Sequence, residues 1–221
     1  MTSFWREIKR ELMLPGADLS NGYFYKWDLN HADLSDVDLS GANLSNTNLS
    51  GANLSGANLS GASLHNADVS YANLEGAIFS KSSLSGSVFK FSKCQKTTFR
   101  YAHSGAEGTD FSGADFTDAD LQRAFFENSN LTKAIFLRAN LTQARLRGSD
   151  LSFADFTEAE LLLANFEGAK MNQTKISFEN IAYVTLPDGT IIDEFAELEK
   201  LMDEDMKDNP FFDSDNPLND F

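Results

Sequence analysis

Residues 41–64 read GANLSNTNLSGANLSGANLSGASL, a phrase that nearly repeats every five residues and sets a leucine at each recurrence. Neither regular element uses that interval. A helix turning about 100° per residue would rotate successive leucines by roughly 140° and scatter them over its whole surface. A strand would send them to alternate faces, because the interval is odd. The chain must therefore bend once in every unit.

Working outward, one frame of large apolar centres runs from Leu19 to Phe99 and a second from Phe111 to Ile176, with 17 and 14 centres. Seventeen of the 31 are Leu and ten are Phe, the others being Val69, Cys94, Met171 and Ile176. Two residues before each centre stands Ala, Gly, Ser or Thr, except at Trp27 and Val37. Small residue, polar residue and centre read as three residues of strand pointing in, out and in. The pair that follows, often Ser-Gly or Ser-Asn, has turn chemistry. Four such units with right-angle turns close a coil, and coils stacked about 4.8 Å apart pair their backbones and pile Leu on Leu and Phe on Phe.

Charge supports four sides over three. Between 111 and 178 a spacing of 20 aligns Asp118 with Arg138 and Glu158, Glu127 with Arg147 and Glu167, Asp150 with Lys170, and Asp155 with Lys175. Those six neighbour pairs are all of opposite sign. A spacing of 15 yields four opposite pairs and the like pair Arg123 with Arg138, and outward residues one coil apart should avoid like signs.

The units GANLSGANLSGASL, GADFTDADL and RANLTQARL resemble those of the pentapeptide-repeat protein family, over roughly residues 15–178. The resemblance implies an all-β solenoid, a right-handed quadrilateral β-helix, here of about eight coils with short α-helical caps at both ends. The regular Ala-Asn-Leu-Ser-Gly style and the late LPDGTIID are similar to cyanobacterial members in particular. More distant are the gyrase-binding quinolone-resistance members, and a heterocyst-differentiation regulator also belongs to the family. So varied a membership implies little about function.

Four regions follow. Residues 1–14 read as an N-terminal capping helix opened by Ser3, with Phe4, Ile8 and Leu12 on one side; an open coil needs such a cover. A membrane-surface helix is the alternative, weakened because Glu7 and Glu11 offset Arg6, Lys9 and Arg10. Residues 15–178 are the repeat region, interrupted where Phe99 and Phe111 stand 12 residues apart, two more than two units. A loop or bulge near 101–109 is expected there, with Gly105 and Gly108 permitting unusual backbone angles. Tyr101 and His103 are its candidate binding residues, against the plainer reading of a tolerated insertion. Residues 179–206 read as a hairpin turned at Pro187, Asp188 and Gly189, then a capping helix carrying Phe195, Leu198, Leu201 and Met202. That helix could also pair two chains, so a monomer or a homodimer is expected. Residues 207–221, KDNPFFDSDNPLNDF, read as an acidic disordered tail in which Phe211 and Phe212 could dock as a short linear motif.

The formal net charge of −15 disfavours nucleic acid or an anionic membrane as partner. Much of it is terminal: residues 183–221 hold 12 acids and two lysines, whereas 81–147 hold ten bases and six acids. No run approaches 18 apolar residues, the opening MTSFWREIKRELML places charges where a signal peptide needs apolar residues, and Cys94 has no partner for an internal disulfide. A cytoplasmic protein is expected. Catalysis finds little support: His31, His65 and His103 are not spaced for a metal, Cys94 takes a centre position, and a core filled from every wall leaves no cleft. No cofactor or metal is expected. The reading that remains is a protein-protein interaction scaffold with an unidentified partner. Its candidate surface is Arg123, Phe125, Lys133 and Arg145, with Arg138 and Arg147 held in the charge ladders. The alternative is a DNA mimic acting on a type II topoisomerase.

Overall fold

The computed structural model describes residues 15–176 and 182–192. The expected helices at 1–14 and after the hairpin, and the acidic tail, lie outside the described residues.

One unit shows how sequence makes the coil. In Ala52–Gly56 the backbone N–H of Asn53 donates to Ala32 O in the preceding coil (2.9 Å), while Leu54 N–H donates to Asn73 O in the next (2.7 Å). Gly56 N–H also donates to the next coil, at Glu75 O (2.9 Å), and the N–H of Ala57 closes the corner onto Leu54 O (3.0 Å). Ser55 N–H is left, and it donates to the Asn53 side-chain Oδ1 (3.3 Å). The closing bond and the positive φ at Gly56 give the corner the signature of a type II turn. With Ala52 N–H closing the preceding corner onto Leu49 O (3.0 Å), all five donors of the unit are used.

Parallel bridges join residues 20 apart along four rows, rising to 22 across one site. The rows define four walls. The first runs from Asp18 to Glu160, the second from Tyr23 to Thr185, the third from Asp28 to Lys170 and the fourth from Asp33 to Lys175. On the fourth, strand β1 (Asp155–Phe156) pairs in parallel with β2 (Lys175–Ile176). The second wall ends in a hairpin, β3 (Val184–Thr185) antiparallel to β4 (Ile191–Ile192).

Inside, small residues and centres form one continuous apolar core from Phe24 to Met171, which Val184 and Ile192 of the hairpin join, with Ile176 partly buried against it. Like packs on like: Phe116, Phe136 and Phe156 stack with centroids 5.1 and 4.6 Å apart. Where the small position is Ser or Thr, its hydroxyl donates to a main-chain carbonyl: Ser82 Oγ to that of the preceding centre, Phe79 (2.7 Å), and Thr47 Oγ1 to that of a centre one coil back, Phe24 (2.8 Å). No buried side-chain polar atom lacks a partner among the described residues.

The two extra residues sit at a corner, and their position corrects the expected loop. Ala102 and Ser104 are buried and His103 bridges Ser83 and Phe125, so 102–104 is a regular wall segment with Ser104 as its centre. Tyr101 likewise holds an ordinary corner position with φ 59°. The excess lies between Ser104 and Thr109. Sequence reasoning passed over Ser104 because it is small and polar. Its hydroxyl donates to Glu127 O (2.9 Å), and Phe89, Phe99, Phe111 and Phe126 pack against one another around this level.

Two predictions follow from the corners. A Cβ at Gly108 (φ +69°) would stand 2.3 Å from Asn128 O, whereas at Gly61 (φ +67°) it would meet nothing within 4 Å. Gly61→Ala should cost about 1–2 kcal/mol, the left-handed backbone term alone, and lower Tm by roughly 2–8 °C. Gly108→Ala should cost more, about 3 kcal/mol or above, because the clashing atom is backbone. Calorimetry in which both variants melted alike would contradict this.

The second concerns pH. Hydrogen bonds from Ser35, first the hydroxyl and then the backbone N–H, hold the Asp33 carboxyl below the usual range. A lowered folded pKa means the contribution is present above the unfolded value near 3.9 and is lost as pH falls through the folded one. Asp33→Asn, which keeps the acceptor as Asn53 and Asn73 do, should leave stability at pH 7 nearly unchanged and flatten the loss below about pH 4. Denaturant titrations at both pH values check it.

Candidate interaction face

The outward residue of each wall segment has two uses. As Asp or Asn it accepts the corner N–H two residues on, and each of the 18 such residues does so. On the first, third and fourth walls 16 of 24 outward positions are Asp or Asn. On the second wall two of nine are, Asn43 and Asn165. Tyr23, Ser63, Ser83, His103, Phe125, Arg145 and Thr185 stand in the other places.

This wall and the corner leading into it differ in charge as well. The nine five-residue segments beginning at 20, 40, 60, 80, 100, 122, 142, 162 and 182 contain no Asp or Glu, in a chain that has 33. They contain Lys81, Arg100, Arg123 and Arg145, all exposed. Arg123 donates to Tyr101 Oη and to Gln143 Oε1 (both 2.5 Å), and its guanidinium lies 5.6 Å from the Tyr101 ring centre. Arg145 lies 5.4 Å from the Phe125 ring centre, a cation over an aromatic face. Acids enter from the flanks, as Asp120 pairs with Arg100 (3.7 Å) and Glu127 with Arg145 (3.5 Å). Exposed Leu162, Leu163 and Tyr183 continue the strip toward the hairpin.

The structure thus brings together five of the residues singled out in the sequence: Tyr101, His103, Arg123, Phe125 and Arg145. Lys133 is elsewhere. It stands two corners away, in a row with the exposed Tyr71, Phe91 and Phe153, where Tyr71 and Phe91 stack at 5.4 Å. Phe211 and Phe212 lie outside the described residues. Lys81, Arg100, Leu162, Leu163 and Tyr183 were missed, although reading outward and corner residues at intervals of 20, with 22 across the insertion, would have found them.

The charge ladders are mostly in place. Arg138 pairs with Asp118 through two donors (2.7 and 3.0 Å), Arg147 with Glu167 (3.0 Å), Lys170 with Asp150 (3.8 Å) and Lys175 with Asp155 (3.2 Å). Glu127, expected on Arg147, turns instead to Arg145 on the second wall. The hydrogen bond from Arg138 holds the Asp118 carboxyl below its ordinary range.

Other candidate chemistry is dispersed. His31 and His65 lie at corners, and no His, Cys, Asp or Glu group among the described residues could hold a metal ion. A shallow depression at the enlarged corner is lined by Gly86, Glu107, Gly108, Asp110, Asn128 and Asn130. Among the described residues no helix is long and apolar enough to cross a membrane. Cys94 is fully buried, which pushes its thiol up to about 12. Native protein at pH 8 should therefore incorporate less than about a tenth of an equivalent of a thiol-specific disulfide reagent in the time that denatured protein reacts fully. Prompt stoichiometric labelling would contradict the burial.

With this geometry in hand, comparison with known proteins assigns the class. The family model for pentapeptide repeats matches in 8 copies, over residues 32–70, 67–102, 109–148 and 134–173. The chain belongs to the pentapeptide-repeat family, whose solved members imply a right-handed β-helix. It is similar to trypsin-treated QnrB1, a plasmid-mediated fluoroquinolone resistance protein, at 22% identity and TM-score 0.71, covering 86% of this chain and 93% of that one. Full-length QnrB1 gives 21% identity and TM-score 0.68 over 86% and 94% of the two chains. HetL, involved in heterocyst differentiation regulation in the cyanobacterium Nostoc sp. strain PCC 7120, gives 26% identity and TM-score 0.41 over 86% and 98%. Comparison with curated proteins found no match.

Proposed function

We propose that this chain is a non-enzymatic, cytoplasmic interaction scaffold that presents its second wall to an acidic segment of a protein partner. The observation that carries the reading is the exchange of turn-capping Asp and Asn for Tyr, His, Phe and Arg on that wall, together with the lack of any acid across it. A capping hydrogen bond stabilises by about 0.5–1.5 kcal/mol, so giving up most of them on one wall has a cost that packing does not require. Interfaces favour the residues gained, aromatic side chains and arginine. Lys81 and Arg123 have no carboxylate partner among the described residues, so their charge is available to a ligand.

The shared fold with a fluoroquinolone resistance protein supports a second reading, a DNA mimic acting on a type II topoisomerase. Carboxylates do not run continuously along any wall, however. Val88 interrupts Asp68 and Asp110 on the third, and Lys93 precedes Asp115 on the fourth. A duplex presents a phosphate about every 3.4 Å on each strand.

Affinity capture from the native cell, followed by titration of the purified partner, separates the readings. Reversal of Lys81, Arg123 and Arg145 to Glu should weaken the partner at least ~10-fold, about 1.4 kcal/mol. Reversal of Lys133 and Lys96, on other corners, should leave it within about twofold. An unchanged partner after the first set would remove the second wall from the interface. Inhibition of gyrase supercoiling unaffected by either set would favour the mimic.

A further inference from the structure

We infer that the second wall takes an acidic segment in the polyproline II conformation, with a carboxylate at every third residue. The inference rests on the reading of this wall as a site for an acidic partner, and it adds the backbone shape and the charge spacing that the wall selects.

Spacing comes first. Lys81, Tyr101, Arg123 and Gln143 hold the same corner position on four successive coils, each with φ between 56° and 61°. Of the strip's four bases, Arg100 and Arg145 already face carboxylates. The Lys81 ammonium has no carboxylate partner among the described residues, and the Arg123 guanidinium meets the uncharged Tyr101 and Gln143. The two unneutralised charges therefore stand two coils apart in one row, about 9.6 Å at ~4.8 Å per coil. Three residues of polyproline II rise about 9.3 Å and complete one turn, which returns the side chain to the same face. A β-strand also covers the distance in three residues, at ~3.3 Å each, but an odd step sends the side chain to the opposite face. An α-helix, roughly 10–12 Å wide, overruns a wall segment of about 10 Å and reaches the flanking carboxylates.

The wall's own hydrogen bonding comes second. His103 N–H donates to Ser82 O (3.1 Å) and Ser104 N–H to Phe125 O (2.8 Å), while Phe125 N–H donates to Ala102 O (2.8 Å) and Phe126 N–H to Arg145 O (2.8 Å). These bonds run along the stack, so the outer face offers a ligand side chains and no sheet edge. A strand laid there would keep its N–H and C=O groups unpaired against the wall, whereas polyproline II has no internal hydrogen bonds and leaves its backbone in water. Tyr101 stands between the two charges, an exposed ring against which the residues between two carboxylates pack, as polyproline II segments do on aromatic surfaces. Its hydroxyl accepts from Arg123 and keeps its own proton to donate. Arg100 and Arg145 are secondary contacts, because their exposed pairs of 3.7 and 3.5 Å contribute little and exchange readily for a ligand carboxylate.

The test titrates the full chain against two fluorescein-labelled peptides made of the same three Glu and six Pro. One carries Glu at every third position and the other at every second. In about 50 mM salt, where exposed charges still act beyond ~10 Å, fluorescence anisotropy should show the first peptide bound at least ~10-fold tighter than the second. Lys81→Gln with Arg123→Gln should remove that preference, whereas Arg100→Gln with Arg145→Gln should weaken both peptides and keep it. Should either pair fail to fold, the comparison of peptides on the unaltered chain decides. Equal affinity for the two peptides, or tighter binding of the second, overturns the proposal and leaves the reading of the wall in place. Binding of neither up to about 5 mM overturns both.

Discussion

Every backbone N–H in a five-residue unit must find an acceptor, and the stacked coils supply only four. Three go to neighbouring coils and the fourth closes the corner. The fifth, on the first corner residue, points along its own wall, and a side-chain oxygen two residues earlier meets it. Asp and Asn reach it because their carbonyl stands at the right distance from Cα for a turn of this kind. The requirement explains the unit's composition in one step: a small residue where walls crowd the axis, Asp or Asn facing out, a large centre facing in, then a corner with φ > 0. Among the described residues twenty-two other than Gly accept that positive φ, a strain of about 1–2 kcal/mol each sustained by the ladder on either side.

A wall built this way is chemically monotonous. Its outward side chain is committed to the corner, so its surface is amide and carboxylate, with interleaved Asn and Asp bonding up the stack as Asn48 Nδ2 does to Asp28 (3.1 Å). To display anything else, a wall must release the cap. Concentrating the releases on one wall limits the harm, because six of the eight coils retain two or three caps on their other sides, the levels of Ile78, Val88 and Lys93 and of Glu160, Lys170 and Lys175 being the exceptions. The core is also indifferent to the exchange, since the inward residues of the second wall remain Ala and Leu or Phe almost throughout. Stability and recognition are divided between walls rather than traded at each residue.

Much of this was legible in sequence because its cause is local. The five-residue interval excludes helix and strand by arithmetic alone, and in-out-in alternation follows from three residues of strand. What was illegible depended on neighbours far apart along the chain. Ser104 looked like a missing centre until bulky rings from adjoining walls were seen at its level. Lys133 looked like part of a basic cluster because it lies near Arg123 in number, but ten residues are two corners of the coil and carry it to the far side. Tyr101 and His103 drew notice as residues of a loop, which they are not. Their unusual chemistry belongs to the second wall, and the extra residues lie just after them.

The edges of the basic strip decide what shape of ligand it admits. Along one side run Glu107, Glu127 and Glu167, and along the other Asp120 and Glu160 on the first wall. A wall segment is three residues, roughly 10 Å across at ~3.3 Å per residue. An anionic ligand that spread beyond this width would meet carboxylates on both flanks, at a Coulomb cost that is modest in water but grows as solvent is excluded. A single extended acidic chain running parallel to the solenoid axis avoids them, and it meets Arg145, Arg123, Arg100 and Lys81 on successive coils in one direction. If the strip takes the acidic partner proposed for it, the flanks that hold Arg100 and Arg145 at rest would also select against broad polyanions, and width would count as much as charge.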